Sequence, residues 1–175
     1  MIGARPSPVP TPSVSERVRQ RLEASESPGA LPPAEPWRLV SVKDPLDDSG
    51  QIAIAREGVG PGSNPILIIR CKRKRTEVYV KTGITQSPDL KDGSANEADL
   101  RMRFDAEKGR RITGSLSADH EEVFLPGSSR FVEELMAHQR LLLGYRDYLG
   151  KEVQLTFSVE GLTERVKPIR KACGW

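Results

Sequence analysis

Two stretches, Leu100-Arg-Met-Arg-Phe-Asp105 and Val153-Gln-Leu-Thr-Phe-Ser-Val159, decide the fold. In the first, Leu100, Met102 and Phe104 face one way while Arg101, Arg103 and Asp105 face the other. In the second, Val153, Leu155, Phe157 and Val159 oppose Gln154, Thr156 and Ser158. A period of two with one apolar and one polar side is the pattern of a strand in an antiparallel sheet whose second face meets water.

The same texture extends outward from these two stretches, as short apolar runs separated by turn residues. It predicts strands near Trp37–Val42, Gln51–Arg56, Ile66–Cys71, Glu77–Lys81, Leu100–Asp105, Arg111–Leu116, Arg140–Arg146 and Val153–Val159. Helix is expected in two places. One follows Pro126-Gly-Ser-Ser, with Ser128 or Ser129 as its cap, and runs through Phe131 to His138. The other is the C-terminus, where Leu162, Val166, Ile169 and Cys173 fall on one side of a helix and Pro168 lies on its outer side, bending it. The expected fold is therefore mainly β: an antiparallel sandwich or barrel-like domain over residues 37–175 with two short helices.

Residues 1–36 read differently. They hold eight of the 14 prolines, which neither join a ladder nor continue a helix, so this arm is expected to be extended. Within it, Val14, Val18 and Leu22 recur every four residues behind Ser15 as a cap, enough for one short amphipathic helix. Three aliphatic side chains do not offset the ordering of a dozen residues, so that helix is expected only against a partner or the domain. A solvated linker is the alternative, and Val14, Val18 and Leu22 are the candidate partner-binding residues.

Charge and motifs remove several function classes. Twenty-seven basic against 24 acidic residues leave a net charge of +3, too small a surplus to define a nucleic-acid binder. No apolar run approaches the roughly 18 residues that span a bilayer, and Met-Ile-Gly-Ala-Arg-Pro at the start has no secretory pattern as given. The two histidines, His120 and His138, have no Cys or carboxylate at metal-ligand spacing. Asp47-Asp48 and Glu121-Glu122 read as solvated loops, and Gly58-Val-Gly-Pro-Gly62 as a turn with no phosphate-loop pattern. No catalytic residue, cofactor or metal is expected, and a small-molecule substrate is not indicated. Lys72-Arg-Lys-Arg75 sits between two strands. It reads as a solvated hairpin tip that resists edge pairing, with phosphate contact as the weaker alternative because Tyr79 is the single nearby aromatic.

Cys71 closes the Ile66–Ile69 run and Cys173 closes the last helical stripe, so both are expected to point into one core. A disulfide is the preferred reading, with two free buried thiols as the other, and the terminal Gly174-Trp175 would pin the chain end.

Together, Trp37-Arg-Leu-Val-Ser-Val-Lys-Asp-Pro-Leu-Asp-Asp-Ser49, Ile68-Ile-Arg-Cys-Lys-Arg-Lys-Arg-Thr-Glu-Val-Tyr-Val80, Arg101-Met-Arg-Phe-Asp105, and the stretches from Phe157 to Leu162 and from Ala172 to Trp175 resemble the type VI secretion-associated accessory proteins of the VasI/TagO type. The resemblance covers nearly all of residues 37–175. It implies a small periplasmic β-rich domain with no catalytic residues to transfer, and that Cys71 and Cys173 match the family's cysteine positions. Domains of this kind also occur in phage and prophage contexts. The expected function is a non-enzymatic structural or accessory binding protein of a phage-like assembly, in a virion or the periplasm, whose arm docks on a neighbouring protein subunit. A periplasmic regulator of a cell-wall hydrolase, or a weak hydrolase itself, is the competing reading.

Overall fold

The structure is a computed structural model and describes residues 36–43, 50–62, 64–85 and 96–175. The arm, with Val14, Val18 and Leu22, lies outside the described residues, as does Asp47-Asp48. Among the described residues nine strands form one antiparallel sheet: β1 (Arg38–Lys43), β2 (Gly50–Glu57), β3 (Ile66–Lys72), β4 (Arg75–Lys81), β5 (Glu97–Phe104), β6 (Arg110–Leu116), β7 (Glu122–Phe124), β8 (Arg140–Arg146) and β9 (Glu152–Ser158). Their spatial order is β1-β2-β3-β4-β7-β6-β5-β8-β9. A first meander runs through β4, the chain then jumps to β5, and β6 and β7 return to close on β4.

The two deciding stretches behave as their alternation requires. Leu100, Met102, Phe104, Val153, Leu155, Phe157 and Val159 are all buried in a single apolar cluster that starts at Trp37, while Arg101, Arg103 and Gln154 are exposed. Ser158 departs from the pattern. It is buried because the guanidinium of Arg56 reaches it across the sheet, at 3.2 Å from its hydroxyl. β7 was not expected from the sequence. It is only three residues long, and it is held by register with β4 and by Phe124 stacking on Tyr79 at 5.0 Å.

The sheet is not closed into a barrel; β1 and β9 are its edges. The glycine-rich stretch read as a simple turn does more than turn. Val59 and Thr156 exchange two backbone hydrogen bonds of 2.8 Å, bringing the end of β2 across to β9. Glycine is needed for this approach: a Cβ on Gly58 would lie 2.4 Å from the Phe157 ring, and one on Gly60 2.5 Å from Leu155.

There are three short helices among the described residues, not two: α1 (Ser128–Met136), α2 (Leu162–Arg165) and α3 (Lys167–Cys173). The expected C-terminal helix divides at Val166 because Pro168 has no N–H to continue the ladder, and it falls in the first turn of α3, where none is needed. The apolar stripe survives the break, with Leu162, Val166 and Ile169 all buried. The expected serine cap of α1 does not form. Gly127 occupies the cap position in a left-handed conformation, and Ser128 is already inside the helix. Phe131, Val132 and Leu135 seat α1 on the core.

Replacing Gly58 with Ala forces the Phe157 ring or the β9 backbone to move. A loss of about 1–3 kcal/mol in unfolding free energy is expected. Gly50→Ala, where nothing lies within 4 Å of the added carbon, serves as the near-neutral comparison in the same denaturant titration.

Candidate functional site

Chemistry-bearing residues gather at three places, the first built on the cysteines. Cys71 and Cys173 are bonded, with an S–S distance of 2.01 Å and Cα atoms 5.7 Å apart, joining the end of β3 to the last residue of α3. The turn after Cys71 is the expected hairpin tip, with Lys72 opposite Arg75. Its two central residues, Arg73 and Lys74, are both left-handed, at φ 50° and 62°. A two-residue hairpin turn demands this, and Asn or Gly would accept it at lower cost. Lys74 donates its ammonium to the Ala172 carbonyl at 3.2 Å, so the tip leans on the C-terminal end of α3. Beyond the helix, Trp175 is half-buried; its indole donates to the Thr76 hydroxyl at 2.7 Å, and Arg170 sits 5.0 Å over its ring. Nothing in the sequence alone places Arg170 and Lys171 beside Lys72–Arg75; the disulfide does.

The second place holds His138, the one histidine with a carboxylate in reach. Its Nδ1 lies 3.0 Å from Asp105 Oδ2, its Nε2 3.9 Å from Glu107, and its ring stacks flat on Phe104 at 4.5 Å. A carboxylate that orients an imidazole is two-thirds of a nucleophile-activating triad. Here the carboxylate has a structural task instead. Asp105, left-handed at φ 42°, accepts the backbone N–H groups of Gln139 and Arg140 at 3.1 and 2.8 Å, which fixes the entry of β8 against the end of β5. Partial desolvation raises the Asp105 pKa, but the hydrogen bonds from His138, Gln139 and Arg140 outweigh it and hold the group below its ordinary value. His120 lies in the β6–β7 turn, where Ser117 and Asp119 organise the backbone up to the adjacent pair Glu121-Glu122. An open groove of about 610 Å³ between α1 and β6 has Met102, Ile112 and Phe131 in its walls, and the Arg110–Glu134 pair borders it at 2.6 Å. Among the described residues no cluster of three His, Cys, Asp or Glu side chains is arranged to hold a metal.

The third place is β1, at one end of the sheet order. Among the described residues β1 pairs with β2 alone and stands first in the sheet order. Leu39 is 57% and Val40 46% exposed, although as neighbours they point to opposite faces. Leu39 stands opposite Ile54, which is fully buried, so the core face of the sheet continues past its cover onto β1. The strand is nevertheless well anchored. Trp37, just before it, is buried and donates to the Glu160 carbonyl at 3.1 Å, the same oxygen that Arg56 reaches at 2.7 Å.

No protein-family model and no curated protein matches the chain. Among solved structures, the invasion associated protein B of Bartonella henselae is similar, with a TM-score of 0.54 at 10% identity; the match covers 81% of this chain and 99% of that one. At that identity the likeness extends to the fold alone.

Two outcomes follow from these contacts. Because the Asp105 pKa is lower in the folded protein, its contribution to stability is complete above the ordinary Asp range and disappears as pH falls through the folded value. Asp105→Asn, which tolerates the left-handed backbone, should therefore be less stable near neutrality by on the order of 1 kcal/mol or less, given the solvent around the carboxylate. That gap should narrow below about pH 4 in paired denaturation curves. The second outcome concerns the cysteines, which are 102 residues apart. Replacing both with Ser should cost up to about 4–5 kcal/mol in the chain-entropy account, read as a drop in the thermal midpoint of the oxidised protein.

Proposed function

We propose that this chain is a non-enzymatic structural or accessory binding protein of a phage-like assembly, in a virion or beside a type VI secretion machine. A neighbouring subunit adds its own strand to β1, and the arm of residues 1–36 docks through Val14, Val18 and Leu22. The observation that carries this reading is the β1 edge. A strand that, among the described residues, pairs on one side alone and exposes apolar side chains on both faces suits the addition of another strand, and natural edges are more often blunted by charge, proline or a bulge. Main-chain hydrogen bonds supply the affinity in such a pairing, and Leu39 and Val40 the specificity. The disulfide supports an oxidising location, such as a periplasm or a particle outside the cell. The VasI/TagO-like stretches motivate the secretion or phage context.

Leu39→Lys with Val40→Lys places charge on both faces of the edge. Both positions are exposed, so stability should stay within about 1 kcal/mol of the parent. Co-sedimentation of the full chain with the assembled particle should fall severalfold. Deleting residues 1–36 should also reduce incorporation without unfolding the domain. Undiminished incorporation of the double variant would remove β1 from the interface.

A further inference from the structure

We infer that the groove between α1 and β6 is a second docking site, which takes an extended peptide segment of a partner protein as an added strand. The segment carries one large aliphatic side chain for the groove and an acidic one two positions away. The groove is built from other strands than β1, so this inference and the reading of β1 can fail separately.

The first observation is the strand beside the groove. Among the described residues Arg110 to Gly114 of β6 pair with β5 alone, and β7 meets only Ser115 and Leu116. β7 stops there for a local reason. Leu125 donates its N–H to the Val78 carbonyl on β4, Pro126 has no N–H to give, and Gly127 is left-handed at φ 90°, which lifts the chain off the sheet and into α1. Beyond that point the groove of about 610 Å³ opens between β6 and the helix. A strand that faces a helix across a groove is the geometry in which an extended peptide adds by main-chain hydrogen bonds while its alternate side chains reach the pocket.

The second observation is what lines the groove. Met102 and Phe131 are buried beneath it and Ile112 is half-buried, which makes an apolar floor for one aliphatic side chain. The rim on α1 is charged. Exposed Arg130 and Glu133 border the groove, and no ion pair among the described residues involves either. Glu134 feels the charge of Arg130, but its carboxylate is already bonded to Arg110 at 2.6 Å. Complementarity therefore asks for an acid near Arg130, toward the start of α1, and Glu133 disfavours one a turn further along. Side chains two positions apart lie on the same face of a strand, which sets the spacing between the anchor and that acid. Both walls are formed before binding: Phe131, Val132 and Leu135 seat α1 on the core, and Asp105 ties His138, just past the helix, to the start of β8. Little ordering of the protein then remains to oppose the peptide.

The test is selection of displayed random heptapeptides over the immobilised full oxidised chain, followed by titration of the enriched peptides in synthetic form. Enriched peptides should carry aspartate or glutamate two positions from a leucine, isoleucine, valine or methionine, and their binding should slow amide exchange within residues 110–113. Arg130→Glu lies at an exposed position without an ion pair, so the fold is kept while affinity falls roughly five- to tenfold; replacing the peptide's acid with lysine should restore binding to that variant. Ile112→Gln, which makes the floor polar, should weaken binding by roughly tenfold or more. Four results would each overturn the inference: no enrichment, equal affinity for the parent and both variants, unchanged amide exchange in β6, or self-association of the full chain that Arg130→Glu abolishes, which would give the groove to a second copy.

Discussion

A seven-residue helix has no stability of its own in water, yet α3 supplies Ile169 to the core and faces β2, β3 and β4. What keeps it in place is the bond from Cys173 to Cys71, which converts a terminal segment into part of the wall. Ile169 and Val166 then stay buried, Trp175 reaches Thr76, and the tip of the β3–β4 hairpin gains a surface to lean on. The disulfide therefore does two things at once. It closes the core on the side of the first meander, and it decides which side chains are neighbours at the basic end.

The fold was legible wherever a residue's fate depended on its own strand. Alternation located β5 and β9 with their buried faces, and the apolar runs located β2, β3, β4, β6 and β8 to within a few residues. Legibility ended where a distant residue decided the outcome. Ser158 belongs by alternation to the wet face, but Arg56, about a hundred positions earlier, buries it. Gly58 and Gly60 read as turn formers because sequence carries no trace of Phe157 and Leu155 lying against them. β7 is too short to show a period, and its only local sign is Phe124, which makes sense once Tyr79 is beside it.

The candidate surfaces divide along the same line. The two cysteines and the run Lys72–Arg75 were visible as residue types, and their pairing with apolar segments pointed to a shared core. That Arg170 and Lys171 join the tip, and that Lys74 bonds to Ala172, are consequences of the disulfide and have no local signature. The exposed edge was hidden for another reason. Arg38-Leu-Val-Ser-Val-Lys43 reads like any other strand, and only the order of the sheet makes it the last one. His138 lies beside the Asp105 carboxylate. Its environment, a ring packed on Phe104 beside a carboxylate already engaged with two backbone N–H groups, accounts for it as part of the joint between α1 and β8.

Arg56 explains how an edge strand so open to solvent is still held firmly. The residue is 5% exposed, burial disfavours its charged form, and the nearby Glu160 carboxylate offsets that only in part. Its nitrogens are served by the Glu160 carbonyl and the Ser158 hydroxyl, its plane lies 5.6 Å from the Trp37 ring, and Nε has no acceptor. A buried guanidinium with incomplete partners is tolerable only while each remaining contact is kept, since losing any one leaves a charge without compensation. Trp37 is one of those contacts and is itself tied to Glu160. The start of β1 is thus locked to the residues just past β9 by a cation that cannot easily leave. β1 is thereby held in place at its first residues, and its ordering cost was met when the domain folded.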